Sequence, residues 1–498
     1  MSEALPQTET DEVEVAIVGC GPVGAMLANL LGLQGVSTLV LEREAAIYHL
    51  PRAVHFDDEV MRLLQTVGLA ETMQPLVHVS PGMKFVSDTG RLLLDWPRPQ
   101  EVGPQAWHAS YRFHQPELER VLRDGLSRFS SVSLRYRTEV FALDQESDAV
   151  VVRYEDLGSG GLAKRRARYV VGCDGARSLV RRMIGAPMED LGFHESWLVV
   201  DAILKRPRPN LGDWSVQYCN RERPATYVRG TGDRRRWEIA VLPGEDAAAI
   251  TQAERVFELL KPWVGPEDVE LERTAVYTFH SAIATRWRSG RLLIAGDSAH
   301  LTPPFLGQGM CAGMRDAGNL AWKLGRVLRG QNDDALLDTY EAERSPHARE
   351  YIELAVRLGG LINTKAMEAA LPGAVLDGGE AARMSSIKPR LGPGLAAGWN
   401  GPAGQIAPQP HLADGARLDD RIGYRFAALM RPDFTASVPA EILERLADRE
   451  VMVVTDDAPE PQAWLQAAEA PAVVVRPDRY VLGAARSHQE LNALAAIV

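Results

Sequence analysis

The run Gly19-Cys20-Gly21-Pro22-Val23-Gly24 sets three glycines at the spacing G-x-G-x-x-G, and Glu42 follows about 18 residues later. That pattern could hold a dinucleotide. The first glycine would permit a tight turn, the second would let backbone approach a pyrophosphate, and the third would let a helix pack close to a strand. N–H groups at the helix start would face the phosphates, and Glu42 would accept hydrogen bonds from an adenosine ribose. FAD and NAD satisfy this chemistry equally. Two more aspartates stand at the ends of apolar runs, in Val170-Val-Gly-Cys-Asp174-Gly175 and in Arg291-Leu-Leu-Ile-Ala-Gly296-Asp297. Read alone, Asp174-Gly175 is as well explained by a capped helix start as by ligand binding.

The elements that would position the first motif are readable. The β-branched residues Val13, Val15, Ile17 and Val18 predict a buried strand, Ala25 to Leu33 a helix ending near Gly35, and Val36 to Glu42 a second parallel strand. This is a βαβ unit with the glycines in its turn. Between Val15 and Leu33 only Asn29 is strongly polar, but glycines and Pro22 crowd the first half, which favours strand, turn and helix over a membrane span. The opening MSEALPQTETDEVEV is acidic and lacks the marks of a secretory signal. At 498 residues the chain should form two or three domains. Its 55 Lys and Arg against 66 Asp and Glu give a net charge of −11, no basis for binding nucleic acid or an anionic membrane. Cys20, Cys173, Cys219 and Cys311 include no CxxC and no zinc spacing, so no metal or disulfide framework is expected and a reducing cytoplasm is.

The third motif extends from Gly290 through Asp297, His300, Pro303-Pro304, Gly307-Gln-Gly309-Met310, Asp316 and Asn319-Leu-Ala-Trp-Lys323. With Asp174-Gly175 and the first motif it resembles the single-component FAD-dependent aromatic (phenol) hydroxylases, over essentially the whole chain. Pro51-Arg52-Ala-Val and the Gly307 run together are most similar to the 3-(3-hydroxyphenyl)propionate hydroxylases. The resemblance implies an FAD site built from Gly19, Gly21, Pro22, Val23, Gly24, Glu42, Arg43, Arg52, Gln115, Asp174, Gly175, Asp297, Pro304, Gly307, Gly309 and Met310. Within it Asp297 would bind ribityl hydroxyls, Arg52 would lie beside the flavin, and Gln115 would touch the ribityl or phosphate region. The helix after Gly307 would face the pyrimidine edge, where reduced flavin is anionic. Cys311 stands where many relatives have asparagine, so a side-chain amide contact there is not carried over.

The same resemblance implies a Rossmann-like FAD-binding α/β domain (residues 1–185 and 275–390), an inserted antiparallel substrate sheet (186–274), and a linker with a thioredoxin-like domain (391–498). Runs at Trp197–Leu204, Trp214–Tyr218, Ala225–Val228 and Arg236–Val241 read as strands of that sheet. Trp214, Gln217, Tyr218, Tyr227 and Pro303 are the candidates to line an aromatic pocket, while Arg234 to Arg236 read as a solvated turn. His55, Arg52 and Tyr218 are the catalytic candidates, with Asp57 and His280 further choices for a base. Gly and Pro make up nearly half of Lys388 to Pro410, a linker by composition. The tail predicts strands at Val451–Thr455 and Ala472–Arg476 and a helix at His488 to Ala496, and it holds no cysteine, which leaves a packing or dimerisation role.

The implied activity is hydroxylation of a phenolic ring with O2, FAD and NAD(P)H. A single G-x-G-x-x-G makes NAD(P)H a transient co-substrate with no pocket of its own. A 3-(3-hydroxyphenyl)propionate-like acid is the expected substrate, with Arg221, Arg223 or Arg229 as carboxylate partner. The alternatives are a polycyclic phenol hydroxylase of the polyketide type and an FAD oxidase or reductase acting on a non-aromatic substrate. A flavin halogenase is disfavoured because the chain has no WxWxIP run.

Overall fold

A computed structural model of the protein describes residues 12–220, 222–362, 381–396, 398–399 and 401–498. The acidic opening up to residue 11 and the candidate Arg221 lie outside the described residues. The strand Glu12–Val18 sits inside an eight-stranded sheet, with parallel Thr38–Leu41 on one side and parallel Gly161–Gly172 on the other. The chain therefore leaves this strand towards one side and later returns on the other, which opens a crevice at its carboxyl end. The helix that follows runs Pro22–Leu33, beginning earlier than the predicted Ala25 because Pro22 occupies its first turn. Proline suits that position, where its missing N–H would have no helical partner anyway. The helix carries no charge, and it packs against the long helix Gly309–Leu328.

A nine-stranded sheet covers the crevice, in the order His300–Leu301, Val269–Ala284, Met188–Leu204, Arg234–Ala240, Ala225–Arg229, Ser215–Cys219, Gly82–Ser87, Leu92–Pro97 and Ala382–Arg383. Three of the four strands read from the sequence are present within two residues of their expected limits, and the first begins nine residues before its expected start, at Met188. The hairpin Gly82–Ser87/Leu92–Pro97 also belongs to this sheet, through parallel pairing of Gly82–Ser87 with Ser215–Cys219. The expected inserted segment began only at 186, since long-range parallel pairing leaves no local mark. Val269–Ala284 likewise runs past the expected boundary at 274, paired antiparallel with Met188–Leu204.

Alternation along these strands creates two different faces. Leu198, Val200, Tyr227, Trp237 and Ile239 form an outer core with Val256 and Leu260 of the helix Ala253–Leu260. Val199, Gln217, Thr226, Val228, Arg236 and Glu238 occupy the other face, towards the crevice.

The tail forms a four-stranded sheet in the order Met452–Thr455, Ala427–Met430, Ala472–Val475, Val481–Ala485, with one parallel and two antiparallel pairings, and ends in the helix His488–Ile497. Ala427–Met430 had no forecast, being short and rich in alanine. Docking to the rest of the chain combines an apolar seam, where Phe426 meets Trp322 edge-on, with buried ion pairs. Arg476 binds Glu343 at 2.7 and 2.8 Å and Asp478 at 2.6 Å, while Lys323 donates to Glu343 at 2.7 Å and Asn319 to Asp478 at 2.9 Å. All five side chains are buried. No helix of the described residues is long and apolar enough to cross a membrane.

Candidate active site

One cavity of about 510 Å3 runs from the glycine turn to the inner face of the sheet. At one end Gly21, Pro22, Val23, Gln115, Gly175, Asp297, Pro304, Gly307, Gly309 and Met310 border it, and Arg52 overhangs it. The glycine pattern has the steric logic the sequence suggested. Gly19 has φ +95° and no room for a Cβ, which would lie 2.5 Å from the Cys173 carbonyl oxygen. At Gly24 a Cβ would lie 2.1 Å from the Gly19 oxygen, whereas at Gly21 it would meet nothing within 4 Å. A cofactor backbone can therefore approach Gly21 closely. Glu42 accepts from Cys20 N at 2.7 Å and from Glu44 N at 2.9 Å, which fixes its carboxylate beside the turn. Arg123 lies 4.0 Å from Glu42 and keeps two buried donors, Nε and Nη1, without partners. Backbone N–H groups, an anchored acceptor and two free donors fit an adenosine diphosphate moiety. Asp297 is accessible from the cavity, yet deep enough that burial raises its pKa, partly offset by His300 and Arg52.

Other expected contacts resolve differently. Asp174 spends its carboxylate on Leu179 N at 2.6 Å, Ser178 Oγ at 2.5 Å and Ser298 Oγ at 3.0 Å, bracing the start of the helix Leu179–Ile184. Here the capping explanation describes the side chain, and Gly175 is the residue of the pair that borders the cavity. Arg43 is exposed and pairs with Glu44 at 3.1 Å. Gln115 accepts from the backbone N–H of Arg52 at 3.0 Å and of Ala53 at 2.7 Å and donates to Glu119 at 2.8 Å, so its amide holds the Arg52 loop. Arg236 holds the loop from the other side, donating to Arg52 O and Pro51 O, both at 2.7 Å, while paired with Asp201 at 2.7 Å. It is buried, which corrects the solvated-turn reading.

His55 is buried between the two ends of the cavity. Its Nδ1 lies 3.2 Å from Gly307 O and its Nε2 2.9 Å from Ser110 Oγ. A carbonyl only accepts, so Nδ1 carries the hydrogen and Nε2 is free to accept from the hydroxyl. Burial, with Arg112 and Arg98 nearby, pushes the His55 pKa down to about 3, so the ring is neutral. Asp57 caps the helix Asp58–Thr66 and is ion-paired with Arg315, which holds its pKa below the usual carboxylate value. It is committed to that pair and unsuited to act as a base. His280 lies at the sheet side of the cavity, 2.7 Å from His194.

On the sheet, the expected aromatic lining is corrected by strand parity. Tyr218 packs on Trp263 and Tyr227 on Trp237, both on the outer face, and Trp214 lies under Lys84 Nζ at 4.4 Å. None borders the cavity, and Tyr218 is thereby removed as a catalytic candidate. Gln217 does border it, but its amide is occupied by Ala225 O at 3.0 Å and Thr226 Oγ1 at 2.6 Å. Pro303 is buried away from the cavity and its neighbour Pro304 faces it. Of the arginines considered for a carboxylate, Arg223 pairs with Glu245 at 2.6 Å and Arg229 with Asp213 at 3.1 Å. Sequence reasoning overlooked Ser80, Arg98, Ser110, Arg112 and Glu238. Arg112 stood three residues before Gln115 in a recognised run, and the alternation of Arg236-Trp-Glu-Ile showed two faces without telling which one was the cavity wall.

Residues 12–355 match the FAD binding domain family. The chain belongs to that family. Residues 430–498 match a second family, the HcaD C-terminal domain. Among curated relatives, the "Probable NADH-specific resorcinol 4-hydroxylase" of Rhodococcus jostii is 39% identical, covering 97% of this chain and 94% of its own. The "3-(3-hydroxy-phenyl)propionate/3-hydroxycinnamic acid hydroxylase" of Burkholderia cenocepacia is 37% identical, with 95% and 93% covered. Among solved structures, the flavin-dependent monooxygenase PieE, in complex with FAD and substrate, superposes with a TM-score of 0.81 at 22% identity, over 98% of this chain and 99% of that one. The protein is an FAD-dependent aromatic hydroxylase with the three-part fold of these enzymes.

Proposed function

We propose that this hydroxylase inserts one oxygen atom from O2 into a single-ring phenol bearing an acidic side chain, such as 3-(3-hydroxyphenyl)propionate, next to its hydroxyl, yielding a catechol at the expense of NADH or NADPH. The observation that carries the reading is the size and continuity of the cavity. About 510 Å3 lies in the lower part of the ~300–1000 Å3 range typical of one ligand, yet this space has to take the flavin ring and the substrate together. A single ring fits that allowance better than a polycycle. The two curated relatives named above act, by their names, on one-ring phenols.

FAD held there would supply the redox chemistry, hydride acceptance from the nicotinamide and activation of oxygen. The chain's own residues do the rest. The Gly19–Gly24 turn, Glu42 and Asp297 would hold the cofactor, and the start of the helix Gly309–Leu328 would offer N–H groups to the flavin edge. The Arg52 loop, under restraint from Gln115 and Arg236, would lie beside the ring. Phe279, Leu301, Phe305 and Leu306 exclude water from the reacting ring. Ser110 Oγ accepts the substrate's phenolic hydrogen bond and relays it to His55 Nε2, which draws electron density into the ring and favours attack on oxygen. His55 thus acts through Ser110. With its cysteines unbonded, the enzyme is assigned to a reducing cytoplasm.

The test is NADH and NADPH oxidation by the FAD-loaded enzyme across resorcinol, phenol, 3-(3-hydroxyphenyl)propionate and a polycyclic phenol, with products quantified under 18O2. One labelled oxygen in a catechol product, and the best coupling with a one-ring acid, is expected. Coupled turnover confined to the polycycle, or reduced product without label, would refute the reading.

A further inference from the structure

The sheet end of the cavity carries positive charge that the protein leaves unbalanced. Among the described residues five arginines border the cavity: Arg52, Arg98, Arg112, Arg236 and Arg273. Arg236 and Arg273 share Asp201, at 2.7 and 2.6 Å, and Arg52 is exposed at the flavin end. Arg98 and Arg112 have no ion pair among the described residues. The Arg98 guanidinium makes no hydrogen bond there either; it stacks on the Trp96 ring at 3.9 Å. Arg112 is nine-tenths buried and makes one hydrogen bond, from Nη2 to Ser215 Oγ at 2.7 Å. The carboxylates around them are already committed: Asp57 to Arg315, Asp58 to Lys388 at 2.7 Å, and Glu238 to Arg236 at 3.8 Å.

Neighbouring groups repeat the pattern. Ser80 Oγ, Trp96 Nε1, Arg98 Nη1 and Arg112 Nε are buried without partners, and all four residues border the cavity. Every one of these atoms can donate. Among the described residues, none of the fully buried unpartnered atoms of cavity-lining side chains is a carboxylate or amide oxygen. Burying unpaired donors and charge is costly, so such a set persists where a ligand completes it. Burial pushes Arg112 down to about 10, and burial together with the charge of Arg112 pushes Arg98 down to about 9, the direction an anion would reverse.

We propose that Ser80, Trp96, Arg98 and Arg112 form a clamp for the carboxylate of the substrate's side chain. The proposal rests on the phenolic-acid reading above and supplies the anchor that Arg221, Arg223 and Arg229 were considered for. Its placement suits the reaction. Ser110, whose Oγ is bonded to His55 Nε2, and Arg112 lie two residues apart on the strand Ser110–Arg112, with Arg112 opposite His55 in the antiparallel pairing with His55–Asp57. Two residues of strand rise about 6.6 Å, and residues so spaced share a face. A ring whose hydroxyl meets Ser110 then extends its side chain towards Arg112 and the clamp. A neutral dihydroxybenzene could fill the ring position and would leave the clamp empty.

Binding to the FAD-loaded enzyme, read as perturbation of the flavin absorbance, tests this with three probes: 3-(3-hydroxyphenyl)propionate, its neutral counterpart 3-ethylphenol, and 3-phenylpropionate, which lacks the hydroxyl. Wild type should bind the hydroxy acid at least thirtyfold more tightly than 3-ethylphenol. R112Q and, separately, R98M should each erase most of that difference while holding 3-ethylphenol within threefold of wild type, and R112K should restore part of it. Equal binding of acid and neutral phenol by wild type would overturn the clamp, whatever the variants do. If 3-ethylphenol is hydroxylated while neither acid binds, the clamp falls and the phenol hydroxylase reading stands. If 3-phenylpropionate binds through Arg112 and no phenol is hydroxylated, the clamp stands and that reading falls.

Discussion

Replacing Gly307 by alanine should weaken FAD binding. Gly307 has φ +64° and ψ 27°, the left-handed region, where a Cβ costs about 1–2 kcal/mol. Space is the second obstacle. The added Cβ would lie 2.9 Å from His55 Nδ1 and 3.1 Å from its Cβ and Cγ. His55 cannot retreat cheaply, being 6% exposed and held by Ser110 Oγ at 2.9 Å and Gly307 O at 3.2 Å. Giving up one or two such bonds costs roughly 0.5–1.5 kcal/mol each. The sum, about 2–4 kcal/mol, is relieved if the turn rotates, and rotation withdraws the N–H groups of Gly307 to Gly309 from the flavin edge. With tenfold for each 1.4 kcal/mol, the dissociation constant for FAD should rise by at least tenfold and at most several hundredfold. Flavin fluorescence titration of the apoenzyme measures it. G90A is the control: Gly90 has φ +79° but open space around its Cβ, so it carries the conformational cost alone and should leave FAD binding unchanged. FAD affinity in G307A within twofold of wild type would refute the assignment of this turn to the cofactor.

E343Q should release the C-terminal domain, because it leaves buried Lys323 and Arg476 facing Asp478 alone, at a cost of about 3–5 kcal/mol. Faster proteolysis within residues 388–410 and a lower unfolding midpoint are expected; wild-type values for both would exclude the ionic lock. His55, neutral in the fold with its pKa near 3 against 6.5 when unfolded, lets only the unfolded chain take up a proton between those values. Stability should therefore fall as pH drops from 6.5 towards 3 and gain nothing from this group above 7. Urea titrations of H55Q should show a shallower acid limb than wild type, and an unchanged slope would mean His55 titrates normally.

The cofactor end was legible because its chemistry is written locally. Gly19, Gly21 and Gly24 answer to a turn, an open approach and a close packing contact within one strand, turn and helix, and Glu42 directly follows the next strand, Thr38–Leu41. Their spacing already encodes the geometry. Asp174 was ambiguous in the sequence for the same reason, since a helix cap and a ligand contact ask for one residue type at one place. Asn319 and Lys323, read as part of a flavin motif, instead serve the docking of the C-terminal domain.

The substrate end was not legible, because it is made of pairings between distant segments. The sequence alone determined the dinucleotide-binding unit and four of the nine strands of the large sheet. Tertiary structure decided that Gly82–Pro97 joins that sheet, and that Gln217 rather than Tyr218 turns inward. It also decided that Ser80, Arg98 and Arg112 converge, although each is an ordinary polar residue in its own segment. The physical reason is the two-residue period of a strand: alternation marks two faces, and only the layers packed on either side determine which becomes core and which becomes cavity wall.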